Sequence, residues 1–167
     1  MAVSKTDSGT PNKPVSAATS ADLTTFTVTA GSTLLVAVLH TSANVSATSL
    51  TWDNGGTNQA MTPIIDTLSG ATIRQQMFIR INPTSGNKTL HAAWTTSSDA
   101  VLGAIAFSGT DTTGYNSADN QTANAGAANQ SLTITSTTDG ATLAALSDNN
   151  APTNNQGTSV YIDNFIR

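Results

Sequence analysis

Between Ile73 and Gly109 the chain carries three strand-like runs, and this stretch limits what the rest can fold into. Along Ile73–Ile81, Ile73, Met77, Ile79 and Ile81 fall on one side and Arg74, Gln76 and Arg80 on the other. Along Lys88–Thr95, Leu90, Ala92 and Trp94 oppose Thr89, His91 and Thr95. A repeat of two is the signature of a strand with one buried face. The run Val101–Phe107 is apolar on both sides and predicts an inner strand. The stretch is thus expected to form three strands in succession, joined by short turns.

Composition extends this reading to the whole chain. Charged residues make up 10% of the 167 positions, and all 10 acidic residues are Asp. Helix surfaces usually carry Glu, Lys, Arg and Gln, whose long unbranched side chains lose little freedom there. This chain carries Thr, Ser, Asn, Ala and Gly instead, which suit strands and turns. Further strands are expected at Thr25–Thr29, Leu34–His40, Thr48–Trp52, Met61–Leu68, Ser131–Ser136, Ala141–Leu146 and Ser159–Ile166. Leu34–His40 is apolar on both sides and is a second candidate for a central strand. Turn signals sit at Ala30-Gly31-Ser32, Asp53-Asn54-Gly55-Gly56 and Ser69-Gly70. The pattern predicts an all-β chain of about nine or ten short strands, an antiparallel β-sandwich or jelly-roll-like fold.

Residues 1–21 are polar, with Pro11, Pro14 and Gly9 among many Ser and Thr, and read as an extended N-terminal arm. Such an arm is ordered only when something ties it down, either its own domain or a neighbouring subunit. Residues 22–167 read as a single β-sandwich domain with a long loop at 108–130. Another polar loop is expected at Ser147–Gly157.

Charge and residue types narrow the function classes. The net charge is −4 and the sequence pI about 4.6, so the basic footprint of a nucleic-acid binder is missing. The chain has no Cys, which removes disulfides and thiolate metal ligands. Its N-terminus has no apolar core of the signal-peptide kind, and no apolar run is long enough to cross a membrane.

Three segments carry a family resemblance. They are Ser49–Pro63 (SLTWDNGGTNQAMTP), Met77–Trp94 with its Asn-Pro-x-x-Gly turn, and Ala104–Thr113 (AIAFSGTDTT). In this order they resemble a β-sandwich domain of phage virion accessory proteins and tail- or fibre-associated modules, found also in some bacterial surface proteins. The resemblance covers about Phe26–Thr113. It implies a non-enzymatic structural subunit of a bacteriophage virion, with capsid decoration as the leading role and a tail or fibre position next. It also implies protein–protein interaction with other copies, as a homo-oligomer, and with capsid or tail proteins. The expected location is the virion, assembled in the host cytoplasm. No catalytic residue comes with these motifs.

The chemistry-bearing residues agree with a chain without catalytic, cofactor or metal site. His40 ends an apolar strand and His91 lies on a polar face, with no clustered ligands nearby in sequence. Asp53, Asp66, Asp99 and Asp111 are the carboxylates available for paired acid–base work, and each lies near a turn. Asp53-Asn54, Asp111, Asp119-Asn120 and Asp148-Asn149-Asn150 offer loop oxygens of the kind calcium takes, but Asx turns account for them. The alternative reading is a carbohydrate-binding or adhesin-like β-sandwich module, extracellular or at a cell surface and directed at a host-surface glycan. Trp52, Trp94 and Tyr115 are the aromatics it would use. Trp52 and Trp94 share strands with apolar neighbours and are expected in the core, which leaves Tyr115.

Overall fold

The computed structural model describes residues 3–10, 12–69, 73–110 and 112, with the backbone of two further strands near the C-terminus. The described residues form an all-β fold without helix. In chain order the strands are β1 (Ser4–Lys5), β2 (Asp7–Gly9), β3 (Asn12–Leu23), β4 (Phe26–Val28) and β5 (Leu34–Thr41). Next come β6 (Ala47–Trp52), β7 (Gln59–Ala60), β8 (Thr62–Ser69) and β9 (Ile73–Ile81). The last are β10 (Gly86–Asn87), β11 (Leu90–Ser108), β12 (Ala141–Leu146) and β13 (Tyr161–Ile166). The main sheet runs β7-β6-β11-β5-β9-β8, with β1 and β3 also on β11. A small sheet β10-β4-β2 and the hairpin β12-β13 complete the described strands, and every pairing is antiparallel.

β11 organises this arrangement. On one side its first residues pair with β6, from Leu90↔Trp52 to Trp94↔Ala47. Its later residues pair on that side with β5, from Ala100↔Thr41 to Phe107↔Leu34. Along the other side runs β3, from Leu90↔Leu23 to Gly103↔Asn12, followed by β1 at Phe107 and Ser108. The two strands expected at Lys88–Thr95 and Val101–Phe107 are therefore one strand of 19 residues. The polar stretch between them resembles a turn, but it contains no Gly or Pro to reverse the chain. It forms a bulged bend, with register shifts between Ala93 and Ser98 and between Ser98 and Ala100. Thr95–Ser97 face solvent there. A bulge bends its strand and strengthens the local twist, and here it lets one strand serve two sets of neighbours.

The polar N-terminal segment is tied down within the same chain. Asn12–Leu23 lies along β11, and Ala21 and Leu23 enter the core. At the bend Ala17 takes a positive φ of 46°. Its N–H donates to Asp99 Oδ1 at 2.8 Å, and Ser16 Oγ donates to the same oxygen at 2.7 Å. One carboxylate thus satisfies the donors that the irregularity of β3 sets free.

Two apolar clusters occupy opposite faces of the sheet. The first gathers Phe26, Leu35, Ala37, Leu39, Trp52, Phe78, Leu90, Trp94, Leu102 and their neighbours. Phe26 and Trp52 meet edge to face there, with ring centroids 6.1 Å apart. The second holds Val3, Val36, Val38, Met77, Ile79, Val101, Ile105 and Phe107. Alternate residues of β5 and β11 feed both clusters, which is why these two strands are apolar throughout and lie inside the sheet.

β9 departs from its expected single buried face, because Gln76, Met77, Phe78 and Ile79 are all buried. The Gln76 side chain tolerates this because its amide is fully used. Oε1 accepts from the Ala47 N–H at 2.7 Å, and Nε2 donates to Ser46 Oγ at 3.0 Å and to Asp66 Oδ2 at 3.2 Å. The expected strands at Ala141–Leu146 and Ser159–Ile166 correspond to β12 and β13. Ser131–Ser136, most of the 108–130 loop and Ser147–Gly157 lie outside the described residues.

Candidate interaction surface

Among the described residues, those singled out for chemistry are dispersed, and His91, Asp53, Asp66 and Asp99 hold the fold through polar contacts. His91 Nδ1 lies 2.7 Å from Asp22 Oδ1, a cross-strand pair between β11 and β3. His40 is 2% exposed and sits on β5 opposite Val101. Burial lowers its pKa to about 4, so the ring is neutral at pH 7. Asp66 accepts a two-pronged contact from Arg74, Nε to Oδ1 at 2.7 Å and a second nitrogen to Oδ2 at 2.6 Å. Opposite charges in this fork geometry fix β8 against β9. Asp111, Asp119, Asp148 and Tyr115 lie outside the described residues.

Asp53 shows why a loop Asp here reads better as a turn former than as a ligand. It has a φ of 56°, and its Oδ2 accepts from the Thr57 N–H at 3.1 Å and the Thr57 hydroxyl at 2.8 Å. Lys88 Nζ lies 3.3 Å from Oδ1. The Thr57 donors, with Lys88 beside them, hold this carboxyl below its usual range. Gly56 packs so closely that a Cβ there would stand 2.3 Å from Asp53 Oδ1. Among the described residues no group of three or more His, Cys, Asp or Glu side chains is placed to hold a metal ion.

The tryptophans are inside, as their neighbours in sequence predict. Trp52 is 0% and Trp94 4% exposed. Their indole N–H groups donate to the Thr84 and Ala18 carbonyls, each at 2.8 Å. Neither ring is available to stack on a sugar.

Backbone edges remain as the exposed feature with recognition chemistry. Among the described pairings β3 joins only β11, and β8 joins only β9. β3 is the longer edge, and Lys13, Pro14, Ser16, Ala17, Thr19 and Asp22 are exposed along it. Its first half carries the features that protect an edge, namely Lys13, Pro14 without an N–H, and the irregular Ala17. Ala18–Leu23 carries mostly small side chains, no Pro or Lys and one charge, Asp22, so this half is the less obstructed one. On β8, Pro63 guards one end, and Leu68 at the other is 43% exposed.

The alternation in the sequence placed the strands but could not rank them by position in the sheet. An edge is defined by which neighbour is missing, which is a tertiary fact. The Lys-Pro pair at residues 13–14 was the one local signal of it.

No family model, no curated protein and no solved structure matches this chain. No helix among the described residues is long and apolar enough to cross a membrane.

Proposed function

We propose that this chain is a non-enzymatic structural protein of a phage-like virion, a capsid decoration or tail/fibre-associated subunit that works through protein–protein contacts. The observation that carries the reading is the half-edge Ala18–Leu23 of β3, which among the described strands pairs only with the first half of the long strand β11. A strand from a second copy, or from a capsid or tail protein, would add there through main-chain hydrogen bonds. Such contacts need shape and backbone registry rather than a constellation of reactive groups. The low-charge composition, rich in Thr, Ser and Asn, suits close packing of many copies. The resemblance over Phe26–Thr113 points the same way, and it supplies the virion context.

The test combines assembly and incorporation. The purified chain is followed by sedimentation across concentration, and a labelled chain is mixed with phage particles and examined by electron microscopy. Self-association and particle decoration are expected, and Thr19→Lys should abolish both without changing the melting temperature of the isolated chain. A chain that stays monomeric and ignores particles, yet binds a glycan array, would replace this reading with the carbohydrate-binding one.

A further inference from the structure

The second face of the main sheet ends in a polar row. Cross-strand registers align Val101 of β11, His40 of β5, Gln75 of β9 and Thr67 of β8. Directly opposed residues project to the same side of a sheet. Two positions along the same strands lie Val38, Met77 and Ile65, which belong to or pack against the second apolar cluster. The row therefore continues an apolar face, with Val101 and His40 buried and Gln75 and Thr67 half-buried.

Four of its polar atoms have no partner among the described residues. Both ring nitrogens of His40, Gln75 Nε2 and Thr67 Oγ1 are buried without a hydrogen-bond partner. One such atom is a costly exception in a protein interior, and a clustered set calls for a common explanation. The neutral His40 ring offers one N–H and one lone pair, the Gln75 amide offers N–H donors, and the Thr67 hydroxyl both gives and accepts. Opposed Cβ atoms lie about 4.5–5.5 Å apart, so the groups converge in pairs along the row.

A position without a side chain lies next to His40 on β11. The position diagonal to His40 there is Gly103, which pairs with Val38 and is buried. Having no side chain, it adds only backbone atoms to this face, where the neighbouring positions carry Val, Ile and Met. Convergent polar groups beside such a position meet the requirement for an internal water, which needs about two to four partners. A larger ligand does not fit atoms this completely buried.

We infer that the His40–Gln75–Thr67 row is a binding site for internal water, anchored by His40 and Gln75 and adjoining Gly103. The site is independent of the proposed assembly edge, since it lies on the face of the sheet rather than along β3.

The experiment reads the water directly in the full-length chain. Exchange-edited NOEs from water to the His40 ring protons are measured in the wild type, and magnetic relaxation dispersion counts the long-lived waters. The wild type should show the NOE. Gly103→Ala, and separately the triple variant His40→Phe/Gln75→Met/Thr67→Val, should each lose roughly one or more long-lived waters. Gln75→Met alone should lower the melting temperature, because it strands the water and the imidazole. Absence of the NOE in the wild type would overturn the inference without reference to any variant. A dispersion signal unchanged in Gly103→Ala would do the same.

Discussion

His40 shows how a single residue can be legible in identity and illegible in role. Its position at the end of Leu34–His40 marked it as part of an apolar strand. Its parity with Val36 and Val38 put it on their face, but only the registers reveal Gln75 and Thr67 beside it. Burial has a pH consequence with a definite sign. The folded-state pKa of about 4 lies below the ordinary 6.5, so between these values the unfolded chain takes up a proton that the folded chain refuses. Stability is complete above pH 6.5 and falls as the pH drops toward 4, by about 3 kcal/mol in all. Urea unfolding at a series of pH values should show this decline, and His40→Phe should flatten it. Asp53 and Asp99 have pKa values lowered by their hydrogen bonds, and they add a further loss only below the ordinary carboxylate value of 3.8. The two windows are separated, so the His40 contribution is readable on its own. Elsewhere in the core the expected response is ordinary: Leu102→Ala, at a fully buried side chain, should cost about 2–5 kcal/mol in the same measurement at neutral pH.

At the scale of elements, strands were legible wherever a face was either wholly apolar or cleanly alternating. β5, β9 and β12 match the stretches read from the sequence to within a residue. Two kinds of element were not legible. β3 has a sequence of small and polar residues because it is an edge, with little to bury, and this composition is shared by irregular segments. The bend of β11 consists of Thr95–Asp99, which has turn-like polarity, yet its distinguishing feature is a tertiary bond. That bond is Asp99 to Ser16 and Ala17 on another strand. A prediction follows for the pair β3–β11. Asp99→Ala removes the acceptor for the Ala17 N–H and leaves the bulge without its tie. The Ala17 amide should then exchange with solvent roughly tenfold faster or more, while amides in the central run Val36–Val38 remain protected. Hydrogen exchange read by NMR, residue by residue, distinguishes this local release from global loss of stability.

For the whole molecule, the question is whether the N-terminal segment is an appendage or a structural strand. Polar composition favours an appendage, whereas the pairing favours a strand. β3 and β1 together cover the outer side of β11 from Leu90 to Ser108, and Val3, Ala21 and Leu23 contribute buried side chains to the two clusters. Removing residues 1–21 would take away Ala21, Val3 and most of the main-chain partners on one side of a strand whose second half is buried on both faces. The exposed β11 would then be a long, apolar, Pro-free edge, the kind that pairs with whatever strand it meets. The shortened chain should therefore lack a cooperative thermal transition and should aggregate on expression. A synthetic peptide of residues 1–23 added during refolding should restore solubility by supplying the missing strand in trans. Calorimetry and sedimentation of the shortened chain, with and without the peptide, check this. A monomeric shortened chain with an unchanged melt would mean that the main sheet is complete without β3, and that the segment is free to serve a neighbour instead. Rescue by the peptide would carry a further consequence for assembly. A strand that can be supplied in trans can also be exchanged between copies, so strand exchange along β11 would join strand addition at Ala18–Leu23 as a second route by which copies of this chain bind one another.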